Sequence, residues 1–185
     1  MLADRRPSLI FSASGPTLFC PTSSVNCYIR FVLRLTLLIG ICGGAAGQKL
    51  EIPQVAIDRG GTDIFRIVLH ANAQRPISAL QWELVYPDSV QIDPSSVVAG
   101  EPAEKASKSV VCRAAPSRGT ENALACLIAG GVSALSTGTI AIVRFSAPSK
   151  APKGSARIEL RKIVGASTST ERVDLENASG TITIR

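Results

Sequence analysis

Histidine, aromatic rings and helical periodicity are what this 185-residue chain has least of. Its one histidine is His70. A nucleophile–base–acid arrangement needs a base, so His70 is the one conventional candidate. No G-x-S-x-G elbow or otherwise marked serine accompanies it, and a surface histidine at a strand end is the better reading. Aromatic residues make up 4% of the chain, so the core must be built from Val, Ile, Leu and Ala. No segment keeps helical apolar spacing for three turns, which excludes a helical bundle. A basic stripe interleaved with aromatics is also missing, so nucleic acid finds no support as a partner. The net charge is +6, of which +3 lies before Gln48; residues 48–185 carry 16 Lys+Arg against 13 Asp+Glu.

Metal-ligand clusters are absent too. Asp88, Ser89 and Asp93 are too sparse for a calcium loop. The polar stretch with Glu171, Asp174, Glu176 and Asn177 reads as a solvated turn. Glu83 and Glu159 are the carboxylates worth weighing as a glycosidase pair. Neither has a stacking ring beside it, so the chain is expected not to be an enzyme. No metal and no cofactor are expected.

What is present is alternation. In ISALQWELVYPDSVQI (Ile77 to Ile92), Leu80, Trp82, Leu84 and Tyr86 share one face, and Gln81 and Glu83 the other. Period two is a strand with one wet side. Pro87 has no N–H for a ladder, and Asp88-Ser89 turns the chain. Further strands are predicted over Leu50–Asp58, Thr62–Ala71, Ser109–Ala115, Asn122–Gly130, Thr137–Ala147, Ser155–Ser167 and Ser179–Arg185. Val90–Gly100, broken by Pro94, reads as two short edge pieces, and Glu101–Ser107 and Thr168–Asn177 read as polar loops. The spacing, roughly 10–15 residues from strand to strand, gives about nine strands and predicts an all-β sandwich. It is read as a single domain over 48–185, with no linker and no internal repeat. Phe65, Trp82, Tyr86 and Phe145 all fall at inward positions.

Residues 1–47 read as a leader. Arg30 and Arg34 precede the apolar run Leu35 to Gly47, which ends in small residues. That order is a secretory signal peptide (about 30–47), with cleavage expected before Gln48. The run is shorter than the roughly 20 residues of a membrane span. Residues 1–27 are expected to be a start-site misassignment, with translation beginning near Val32. The mature chain is therefore expected to be secreted, extracellular or periplasmic, with no membrane span.

The leader holds Cys20, Cys27 and Cys42, which leaves Cys112 and Cys126. A hairpin turn centred on Gly119 puts these two directly opposite each other, at about the separation a disulfide needs. A Cys112–Cys126 bridge is predicted, closing a loop of about 15 residues and stabilising by roughly 3 kcal/mol on the chain-entropy model. The alternative is a pair of free buried thiols. Two cysteines with no nearby histidine cannot fill a tetrahedral metal site.

The order of these strands resembles that of cohesin domains. ISALQWELVYPDSVQI is similar to the family's third-to-fourth strand region, where an aromatic strand ends in Tyr-Asp-Pro; here the order is Tyr86-Pro87-Asp88. TGTIAIVRFSAP (Thr137 to Pro148) resembles the strand that alternates towards Phe, and SARIELRKIVGAS with SGTITIR resembles the last two strands. The resemblance covers Leu50 to Arg185. It implies a nine-stranded jelly-roll-like sandwich of the carbohydrate-binding-module superfamily, and a binding module without chemistry of its own, docking a dockerin-like protein through one sheet face. The strands at 78–86, 109–115, 122–129 and 156–165 would form that face. Its outward residues would be Gln81, Glu83, Val111, Arg113, Ala125 and Leu127, with Arg157, Glu159 and Arg161 beside them. A link to polysaccharide breakdown goes with this expectation. Two other readings stay open: a carbohydrate-binding module of the same superfamily, and a structural surface domain with no discrete site.

Overall fold

The computed structural model describes residues 47–185, and the leader, its signal peptide and the start-site expectation lie outside the described residues. Residues Ala46–Arg185 form one compact unit. Two sheets face each other. The smaller has the order β1 (Lys49–Glu51), β3 (Thr62–His70), β8 (Gly138–Ser146), β5 (Val97–Ala99). The larger runs β2 (Val55–Ile57), β11 (Ala178–Ile184), β9 (Gly154–Ser167), β4 (Ile77–Pro87), β7 (Glu121–Ala129), β6 (Ser109–Arg118), with β10 (Arg172–Asp174) paired to β9. All pairings are antiparallel except β2 with β11.

The sandwich has eleven strands rather than nine. Each difference has a local cause. Pro53 cannot continue a ladder, so the expected strand Leu50–Asp58 splits. Its first part pairs with β3 in one sheet and its second with β11 in the other. Within the expected loop Thr168–Asn177, Arg172–Asp174 pairs with the far end of β9. The two edge pieces expected in Val90–Gly100 are a single bridge, Gln91 to Ser146, and β5. Between them Pro94–Ser96 makes a 3-10 turn, capped by Asp93, whose Oδ1 accepts from the Ser95 N–H at 2.8 Å. These Ser95 bonds hold the Asp93 carboxyl below its usual pKa.

The expected loop Glu101–Ser107 is corrected to a short helix, α1 (Glu101–Lys105). Gly100 stands at its N-cap and Pro102 in its first turn, where a missing N–H costs nothing. Pro102, Ala103 and Ala106 are buried while Glu101 and Lys105 pair outside at 2.6 Å. One turn is too short to show a period. Gly100 is needed here: a Cβ at this position would lie 2.0 Å from the Thr139 carbonyl oxygen.

The core is aliphatic with four rings. Phe65, Trp82 and Phe145 are each 1% exposed and Tyr86 7%, so all four point inward as their phase predicts. Phe65 and Phe145 stand across the β3–β8 ladder with centroids 5.6 Å apart. Leu84, Leu160, Ile158 and Ile182 of the larger sheet belong to the same buried cluster. The Trp82 indole Nε1–H is buried with no hydrogen-bond partner among the described residues. The Tyr86 hydroxyl donates to Ile92 O at 3.4 Å, and burial pushes its pKa up. Cys112 and Cys126 form the expected disulfide, on the inner face next to Trp82.

Candidate functional site

The outer face of the larger sheet is a grid set by three ladders. From β6 to β9, one row reads Val111, Leu127, Gln81, Val164. The next reads Arg113, Ala125, Glu83, Arg161, and the third Ala115, Ala123, Val85, Glu159. The six residues expected to face outward thus share one surface, and Arg157, Glu159 and Arg161 border it. The strands are neighbours in this sheet although their sequence order is 4, 6, 7, 9.

The first row is apolar but for Gln81, and open at its β6–β7 end. Val111 is 53% and Leu127 44% exposed, side by side across the β6–β7 ladder. These are two of the four large exposed apolar side chains among the described residues. The third row ends in Glu159, and its apolar members Val85 and Ala123 are covered, 4% and 7% exposed. They form the floor of a shallow depression of about 260 Å³, rimmed by Glu83, Glu121, Arg161, Lys162 and Pro116. A second hollow, of about 280 Å³, shares Val85, Glu121 and Arg161 and extends towards Ser89 and Arg157.

The middle row carries the charge. Glu83 was expected as an open carboxylate. Its side chain is only 20% exposed, because Lys162 Nζ lies 2.5 Å away. Arg161 reaches Glu159 at 2.6 Å and Glu121 at 3.2 Å, and Arg157 holds the other Glu159 oxygen at 2.7 Å. These carboxylates push the Arg161 guanidinium pKa above its ordinary value. Arg113 has no ion-pair partner among the described residues.

A bulge makes this arrangement. Ala156, Ile158 and Leu160 point inward, then Ile163 does, so the inward phase slips from even to odd. The ladder with β4 shifts between Gln81 and Glu83, and Lys162 takes φ +52°. An extra residue in one strand produces such a shift and re-aims its side chains. Arg161 and Lys162 therefore both stand beside Glu83, where regular pairing would put one residue. Sequence reasoning missed Lys162, Glu121, Val85 and Ala123. The phase slip was readable, because the apolar positions of Ala156 to Ile163 do not keep period two. The contact between Glu83 and Lys162 was not, since 79 residues separate them.

Of the remaining candidates, His70 and Asp174 lie outside this grid. His70 ends β3 on the outer side of the smaller sheet, with its Nε2 2.9 Å from Glu51 Oε2. Glu83 and Glu159 share the outer face of the larger sheet, each engaged by cations. Asp174 is held by Arg172 at 2.8 Å, which lowers its carboxyl pKa. Among the described residues no group of three or more His, Cys, Asp or Glu is placed to hold a metal ion. None of the four core rings is exposed, so this face offers no stacking platform.

No protein-family model and no curated protein matches the chain. Solved structures do match. A non-cellulosomal cohesin from the hyperthermophilic archaeon Archaeoglobus fulgidus is 14% identical, with 76% of this chain and 92% of that one covered and a TM-score of 0.58. The sixth cohesin of scaffoldin B from Acetivibrio cellulolyticus, solved with a dockerin, gives 16%, 76%, 100% and 0.59. The OlpA cohesin of a type I cohesin–dockerin complex from Clostridium thermocellum gives 12%, 75%, 99% and 0.62. The fold of this chain is cohesin-like.

Proposed function

We propose that the chain is a secreted, non-catalytic binding module that docks a dockerin-like protein through the outer face of β9, β4, β7 and β6. The observation that carries this reading is the exposed Val111–Leu127 pair beside a charged row. Apolar anchors ringed by polar groups are the usual energetic centre of a protein interface. The likeness to cohesins solved with dockerins supports a protein as the partner. Secretion is supported by the disulfide, which persists in oxidising compartments. The apolar run Leu35 to Gly47 also supports it, and among the described residues no helix is long and apolar enough to cross a membrane. A link to polysaccharide breakdown belongs to the same reading. Glycan binding is the weaker alternative, because the rings it would stack on are in the core.

The test is capture. Immobilised full-length chain is offered the secretome of its source, and the retained protein is identified and titrated. Leu127→Asp combined with Arg113→Glu should weaken that protein's binding about tenfold or more, the usual scale for an anchor residue. Undiminished capture by the double variant removes this face from the interface. Retardation on a polysaccharide gel without protein capture favours the glycan reading.

A further inference from the structure

The edge of the larger sheet is open along β6. Among the described residues no strand pairs with its outer side, and β5 and the Pro94–Ser96 turn pack beside it without a ladder. Which backbone groups face that edge follows from one distance. The Cα atoms of Cys112 and Cys126 are 4.1 Å apart. Directly opposed residues of an antiparallel pair are about 4.5 Å apart where they do not exchange hydrogen bonds and about 5.5 Å where they do. Cys112 therefore sends its N–H and C=O away from β7. Lys108, in the same phase, does so too: its N–H bonds Ala103 O at 2.9 Å. Val110, Cys112 and Ala114 thus line the edge with N–H and C=O groups that have no partner among the described residues. The row is bounded. The Lys108 N–H is already used, and Pro116 has none to offer.

The side chains at this edge are incomplete as a core. Ala114 points towards the sandwich interior yet is exposed, and Val110 and Cys112 are only half-buried. On the outer side the edge presents Val111, 53% exposed, and the unpaired Arg113. We propose that β6 accepts an extended peptide segment of a partner as an additional strand, over Val110 to Ala114. That segment carries an acidic residue beside Arg113, an apolar residue two positions away beside Val111, and, next to the acidic residue on its other side, a small apolar residue that covers Ala114. Main-chain bonds supply affinity in such strand addition, and alternate side chains supply choice. The Cys112–Cys126 bridge holds the accepting strand in place. This inference rests on the backbone edge and shares only Val111 and Arg113 with the docking face proposed above.

The probe is a blocked peptide of alternating Val and Thr with one Glu near its centre, titrated into the full 185-residue chain and followed by amide NMR. Binding should slow exchange at the amides of Val110, Cys112 and Ala114 and leave those of Val111 and Arg113 unchanged. Replacing the peptide's Glu by Lys should weaken binding roughly fivefold, the scale of a cross-strand charge pair. Arg113→Glu should reverse that preference. Ala114→Pro removes one edge donor at a position where a strand tolerates proline, so it should abolish binding with circular dichroism unchanged. If Ala114→Pro unfolds, Val110→N-methyl-valine introduced by ligation replaces it. The proposal is overturned by no binding at millimolar peptide, by protection elsewhere, or by edge amides already protected in a concentration-dependent dimer. Because Ala114→Pro leaves Leu127 in place, failure here is distinguishable from failure of the docking face.

Discussion

Lys108 sits where its sequence neighbours would not put a charge. It is 5% exposed, at the start of β6 behind α1. Its ammonium donates to Gly130 O at 2.5 Å and Gly131 O at 3.2 Å, so the lysine pins the corner between β7 and β8. Gly131 has φ +53°, and a Cβ there would lie 2.6 Å from Ala106 O, so the two chain segments meet backbone to backbone. Two neutral carbonyls do not replace a carboxylate, and burial pushes the Lys108 pKa below the ordinary lysine value. The folded state therefore releases its proton before the unfolded state does. Over that window the unfolded chain binds more protons, and stability rises with pH. Urea midpoints of wild type and Lys108→Met, compared from neutral pH up to the ordinary lysine pKa, should show the wild type gaining on the variant. A constant difference across that range would mean the ammonium is not destabilised by burial.

The β6–β7 hairpin owes its stiffness to one bridge placed by register. Cys112 faces Cys126 because the ladder holds the pairing expected of a turn centred on Gly119, up to a shift between Ala115 and Arg118. The loop it closes spans a sequence separation of 14. Cys112→Ala with Cys126→Ala should lower stability by about 3 kcal/mol, read as a fall in urea midpoint. Peptide mapping without reduction should find both thiols blocked to alkylation. β9 shows the opposite relation between pattern and element. It is 14 residues long and its apolar phase slips at Arg161–Lys162, which places these two charged side chains beside Glu83 in one cluster. Here a break in the pattern, rather than the pattern, forms the charged part of the candidate site.

For the molecule as a whole, protection should follow the order of strands in each sheet. β4 lies between β9 and β7 and contributes Leu80, Trp82 and Leu84 to the core. β1, β5 and β10 are three-residue strands, each paired on one side only. Native-state hydrogen exchange should therefore find the slowest amides in β4, β7 and β9 and the fastest strand amides in β1, β5 and β10. Equal protection across both sheets would mean that the edges open only with the whole molecule.

Much of this was legible in the chain itself. Alternation in Ile77–Tyr86, Thr62–His70 and Thr137–Ala147 determined the strands and sent all four rings inward, because a side chain's face depends only on its place along its own strand. The opposition of Cys112 and Cys126 was legible for the same reason, since a hairpin is local. Tertiary structure alone decided which strands became neighbours. It set β4 against both β7 and β9, brought Lys162 to Glu83, buried Lys108 against Gly130 and left one side of β6 without a partner strand among the described residues. Those outcomes depend on how two sheets close over a common core. No window of sequence contains both sides of such a contact.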